Sequence, residues 1–91
     1  MTFRFSSNRW QKAEASVTLE QLRIGNRARI TALAAEPALL QRLMEMGVLE
    51  GDEVEMVAVA PLGDPIEIRL GDSRLSLRRE EAARVEVTLL P

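Results

Sequence analysis

The sequence predicts a mainly β fold, a small, partly open barrel of about five short strands with one inserted amphipathic helix and a short N-terminal helical turn. Three observations predict it. Apolar and polar residues alternate over 27–33, 53–60, 66–70 and 85–89, which is the period of half-buried strands. One stretch, 37–46, instead spaces its apolar residues by three and four, as a one-sided helix does. Proline and glycine punctuate the joins, above all at Pro61-Leu62-Gly63-Asp64-Pro65. In a domain this small, closing the sheet is the usual way to hide strand edges.

Taken in order, residues 1–17 form an N-terminal extension that holds all the aromatics, Phe3, Phe5 and Trp10, so the core of the domain at 18–91 must be aliphatic. The extension reads as an arm that folds back over a gap in the barrel, or as a partner anchor through Trp10. Thr18-Leu19-Glu20-Gln21-Leu22 reads as one helical turn with Thr18 capping and Gln21 reaching back. Arg27–Leu33 is the first main strand, with Ala28, Ile30 and Ala32 inward. Arg27 and Arg29, on its solvent side, are expected to pair across strands with Glu53, Glu55 or Glu86 rather than to hold phosphate.

Pro37 suits the first turn of a helix, where its missing N–H would have no partner. Leu39, Leu40, Leu43, Met44 and Met46 define the inward face, and Gly47 is placed to end the helix at positive φ. Glu53–Ala60 follows as a strand with Val54, Met56 and Ala58 on one face and Val57 and Val59 on the other. After the proline turn, Ile66–Leu70 runs inward through both isoleucines and Leu70. Gly71–Arg74 is a turn, Leu75–Leu77 a short antiparallel strand, Arg78–Arg84 a polar helical turn with solvated charges, and Val85–Leu89 the last strand.

Composition excludes several chemistries. The 91 residues contain no cysteine and no histidine, which removes thiolate nucleophiles, imidazole bases, disulfides and the usual transition-metal ligands. The serines have no histidine to activate them, and no glycine pattern matches a phosphate loop, so the chain is not expected to be an enzyme. Twelve basic and fourteen acidic residues are mixed along the chain for a net charge of −2, which does not favour nucleic acid. No apolar run approaches the roughly 20 residues that span a bilayer, so no direct membrane insertion is expected. Glu50, Asp52 and Glu53 are the acidic residues nearest to a metal cluster, but solvated surface explains them better and no ligand is assigned.

The run Met46-Gly47-Val48-Leu49-Glu50-Gly51, then a strand, then Ala60-Pro61-Leu62-Gly63-Asp64-Pro65-Ile66, then Leu75-Ser76-Leu77-Arg78, resembles the ferrous iron transport protein A (FeoA) family over roughly 18–88. The resemblance implies an SH3-like barrel with an inserted helix. It also implies a small cytoplasmic accessory protein of ferrous iron uptake, whose partner is the membrane transporter that carries a cytosolic GTPase domain. Ferrous iron or another divalent metal is the cofactor it raises. The expected partner-binding residues flank a groove between the helix exit (Leu43, Met46, Gly47, Val48, Leu49, Gly51) and the proline turn (Leu62, Gly63, Asp64, Pro65). Arg78 or Arg79 are the arginines available to stimulate GTP hydrolysis. The alternative is a regulatory barrel associating with an iron-responsive transcriptional repressor. Pairing of copies through an exposed strand edge, a homo-oligomer, stays open.

Overall fold

The computed structural model describes residues 16–91; Phe3, Phe5 and Trp10 lie outside the described residues. The elements run β1 (Ser16–Thr18), a 3-10 turn (Leu19–Gln21), β2 (Arg27–Leu33), α1 (Pro37–Glu45), β3 (Glu53–Val59), β4 (Ile66–Leu70), β5 (Ser73–Leu77), α2 (Arg79–Ala82) and β6 (Val85–Leu89). All six strands belong to one antiparallel sheet ordered β1-β6-β2-β3-β4-β5. The fold is the small mainly β barrel that the alternation predicts, with one strand more. Ser16 and Val17, read as the end of an extension, lie in β1 and pair with Thr88 and Val87. A three-residue strand is too short to show alternation, and its partner lies at the far end of the chain.

The core is aliphatic, as the placement of the aromatics requires. Leu19, Ile30, Leu43, Val48, Met56, Ile66, Ile68, Leu77, Val85 and Val87 are fully buried. Gln21 accepts the Thr18 backbone N–H at 2.9 Å through Oε1, the backward reach expected of that turn.

Two bulges change the facing of residues along the strands. In β2 the register jumps from Ile30↔Val87 to Ala32↔Glu86, and the Oγ1 of the intervening Thr31 donates to the Glu86 carbonyl at 3.2 Å. In β3 it jumps from Met56↔Ile68 to Ala58↔Glu67. Each bulge inserts one residue and shifts the alternation. Val59, expected on the outer face, therefore packs against the core, while Ala32 and Ala58 are only half-buried. The β4–β5 hairpin is tighter than expected: Leu70 pairs with Ser73, so the loop is Gly71-Asp72 alone and β5 starts at Ser73.

The inserted helix ends where Gly47 stands, and the mechanism is visible. Gly47 has φ +94°. Its N–H reaches the Met44 carbonyl at 3.0 Å, and the Val48 N–H reaches the Leu43 carbonyl at 2.9 Å. That crossed pair is a Schellman motif, in which a hydrophobic contact links the residue after the glycine to the third-last helical residue. Those two residues are Val48 and Leu43, and both are wholly buried. The helix face is narrower than its apolar count implied. Leu43 is its one fully buried residue, Leu39, Leu40 and Met46 are half-buried, and Met44, expected inward, is 50% exposed.

The outermost strands, β1 and β5, are bridged by helical pieces instead of a ladder. Leu19 and Leu22 on one side and Ala82 on the other fill that side of the core. The polar turn at α2 is not fully solvated as expected. Glu81 is buried, accepts the Arg78 backbone N–H at 3.0 Å through Oε1, and pairs through Oε2 with Arg42 of α1 at 2.8 Å. That carboxylate caps its own short helix and ties it to the inserted one.

Candidate docking surface

The proline turn between β3 and β4 is built so that most of its polar groups are used. Gly63 N–H bonds the Ala60 carbonyl at 2.7 Å, which closes a β-turn with Pro61 and Leu62 at its centre, and Ala60 N–H bonds the Pro65 carbonyl at 3.0 Å. The Asp64–Pro65 peptide is cis and Gly63 has φ +90°. From across the barrel, the Arg79 backbone N–H donates to Asp64 Oδ1 at 3.1 Å, and Arg79 Nε donates to the Gly63 carbonyl at 2.7 Å. Leu62 stands out from this frame with 96% of its surface exposed, so it belongs to no core. Among the described residues it is the most exposed large hydrophobic side chain, followed by Ile24, Met44, Leu89 and Leu49.

The helix exit is differently constructed. Leu43 and Val48 supply no contact area because the Schellman contact buries them; they hold the exit in place. Gly51 is likewise a fastening: its N–H bonds the Ile30 carbonyl at 2.8 Å and its carbonyl accepts from Arg29 Nη1 at 3.2 Å. What faces outward is Leu49, at 44% exposure, together with half-buried Met46 and Gly47. Beside them, an outer ridge on α1 carries Pro37, Leu40 and Met44, which with Gln41 and Glu45 line a shallow depression of about 440 Å³. Sequence reasoning placed Met44 and Leu40 inside. The available signal was that five large apolar residues in ten exceed what one narrow face can bury.

The helix exit and the turn lie toward opposite ends of β4. Gly47 lies over Leu70, where an added Cβ would come 3.9 Å from Leu70 Cδ2, at the C-terminal end of β4. The proline turn precedes Ile66, at the other end of the same strand. Five residues of strand put about 13 Å between them. They form two separate apolar points, so a partner that uses both must span that distance.

Elsewhere the surface neutralises itself. Arg27 and Arg29 share Glu53 at 3.3 and 3.2 Å, Arg69 pairs with Glu55, and Arg74 pairs with Glu67 at 3.4 Å. These pairs run across β2, β3, β4 and β5 as expected for Arg27 and Arg29, and they occupy the guanidinium groups that a phosphate would need. The same geometry decides the acidic turn: both Glu53 oxygens face arginines, so Glu53 does not converge with Glu50 and Asp52. Among the described residues, no three Asp or Glu side chains come together as a metal site. Among the described residues, the acidic side chains of this turn therefore do not fit a resident divalent metal. Of the two candidate arginines for a GTPase contact, Arg79 is engaged in the turn, whereas Arg78 is exposed.

No helix among the described residues is long and apolar enough to cross a membrane. Comparison with known proteins gives a consistent picture. A FeoA/FeoB fusion protein of Porphyromonas gingivalis, named Fe(2+) transport protein A/Fe(2+) transporter FeoB, is 39% identical over 72 residues, covering 79% of this chain and 8% of that protein. The chain thus spans under a tenth of that relative. The solution structure of FeoA from Chlorobium tepidum is 41% identical with a TM-score of 0.77, covering 82% of this chain and 71% of the other. FeoA of Stenotrophomonas maltophilia, solved in complex with zinc and described as a procaryotic SH3 domain protein, is 37% identical with a TM-score of 0.69, covering 78% and 88%. IdeR of T. acidophilum, at 19% identity and a TM-score of 0.75 over 84% of this chain and 35% of its own, shares the fold alone. The FeoA domain model matches residues 17–89, and with it the chain belongs to the FeoA family of ferrous iron transport, built on an SH3-like barrel.

Proposed function

We propose that this chain is a non-catalytic accessory domain of ferrous iron uptake that docks on the cytoplasmic part of a FeoB-type transporter and shifts its conformational populations. The observation that carries the reading is the fusion relative, in which a segment 39% identical to this chain is joined to FeoB in one polypeptide. A covalent tether raises the effective concentration of two surfaces to the millimolar range, which matters only where the surfaces meet. Leu62 on its pinned turn and the exposed Leu49 and Met44 are the apolar residues that such a partner would cover. The domain acts by binding one transporter state better than another, since a ligand shifts an equilibrium only through differential affinity. Of Arg78 and Arg79, Arg78 is the one the proline turn does not hold, so it is the candidate of that pair for reaching a phosphate on the partner.

The test is calorimetric titration of the chain into purified FeoB transporter from the same organism, without nucleotide and with GTP or GDP. Saturable binding that Leu62→Asp or Leu49→Asp weakens supports the reading, and a difference between nucleotides identifies the state preferred. Absence of binding in every nucleotide state overturns it and brings forward association with a separate repressor.

A further inference from the structure

Arg79 ties α2 to two other segments. Its Nε donates to the Gly63 carbonyl at 2.7 Å, its Nη1 to the Glu20 carbonyl at 2.8 Å, and its backbone N–H to Asp64 Oδ1 at 3.1 Å. The exchange with the proline turn is reciprocal. Asp64 satisfies the first amide of α2, which that four-residue helix cannot satisfy itself, and Arg79 satisfies a turn carbonyl that the ladder has left behind. The second arm of the guanidinium is anchored on the 3-10 turn, with the Glu20 carboxylate 3.6 Å away. The planar fork thus joins the proline turn to the 3-10 turn, the Arg79 backbone N–H holds Asp64, and Leu62 stands between the two turn residues that Arg79 holds and Pro61.

We propose that Arg79 is the positioning residue of the docking surface, presetting the Leu62 turn so that a partner meets it already ordered. This rests on the docking reading above. An ordered turn lets a partner bind without having to fix those backbone angles itself, so loosening it weakens binding without removing any atom of Leu62. Lysine cannot replace the arginine, because one ammonium on a flexible stem does not meet the Gly63 and Glu20 carbonyls in the fixed fork geometry.

The experiment compares Arg79→Ala, Arg79→Lys, Asp64→Ala and Leu62→Asp by hydrogen exchange of the Gly63 amide in the free chain and by titration against the FeoB transporter. Both Arg79 variants and Asp64→Ala are expected to speed Gly63 exchange at least tenfold, with the sheet amides of Ile30 and Val87 unchanged, and to raise Kd about tenfold. Asp64→Ala leaves the Arg79 link to Glu20 intact, so its effect separates turn order from barrel closure. Unchanged Gly63 exchange in Asp64→Ala and Arg79→Lys overturns the proposal, as does uniform loosening of the whole sheet. If the turn loosens while Leu62→Asp binds like the parent chain, the clamp stands and the docking reading fails.

Discussion

Two leucines, Leu43 and Leu62, make the sharpest test of the surface assignment, because sequence reasoning placed both on the partner face and the structure separates them. Leu43 is 0% exposed and belongs to the Schellman stop, so Leu43→Ala leaves a cavity in a closed aliphatic core. Such truncations cost 2–5 kcal/mol, and about 3 kcal/mol is expected here. In a chain of 91 residues each kcal/mol moves Tm by roughly 4–8 °C, so the transition should fall by about 15 °C. Leu62 is 96% exposed, and truncating it removes almost no buried area. Leu62→Ala and Leu62→Asp should therefore stay within about 0.5 kcal/mol of the parent. Urea unfolding followed by far-UV circular dichroism measures both, with the slope m showing whether the unfolded reference has changed. The reasoning is refuted if Leu62→Ala destabilises by more than about 1 kcal/mol, which would make the residue part of a core, or if Leu43→Ala is as mild as Leu62→Ala.

Other expectations follow from the same geometry. Gly47→Ala should cost about 1–2 kcal/mol in urea unfolding, because the alanine Cβ meets strain at φ +94° while its contact with Leu70 at 3.9 Å is an ordinary van der Waals one. Glu53→Ala, which frees two exposed arginines, should change stability by under about 1 kcal/mol and by less in 0.5 M salt; a larger effect would mean the pairs are buried in solution. Glu81→Ala removes a cap and a nearly buried acceptor, so about 1–2 kcal/mol is expected, with a double-mutant cycle against Arg42→Ala measuring the smaller part due to the ion pair.

What could be read from the sequence was local. Gly47 after an apolar run announces a helix stop, Pro61 and Pro65 announce a turn, and alternation announces strands, since each signal lies within a few residues of its effect. The exposed position of Leu62 follows from its place at the centre of that turn. Features that depend on distant partners were not legible. β1 forms only because Val87 and Thr88 lie alongside it, and the bulges at Thr31 and Val57 are set by the neighbouring strand. Val48 was read as a contact residue because its apolar character shows in the sequence while its crossed hydrogen bond to Leu43 does not. Arg79 is the clearest case. In the sequence it is one of two adjacent arginines, and only the fold brings Gly63, Asp64 and Glu20 around one of them.

The central claim, that the apolar points at the turn and the helix exit receive the transporter, is tested most directly by chemical-shift mapping of the isotope-labelled chain on adding FeoB transporter. The account predicts that perturbed methyl and amide signals concentrate at Leu62, Gly63 and Asp64 and at Met44, Met46 and Leu49. Perturbations concentrated instead on the outer sheet face, at Arg27, Arg29, Glu53, Glu55 and Arg69, would contradict it.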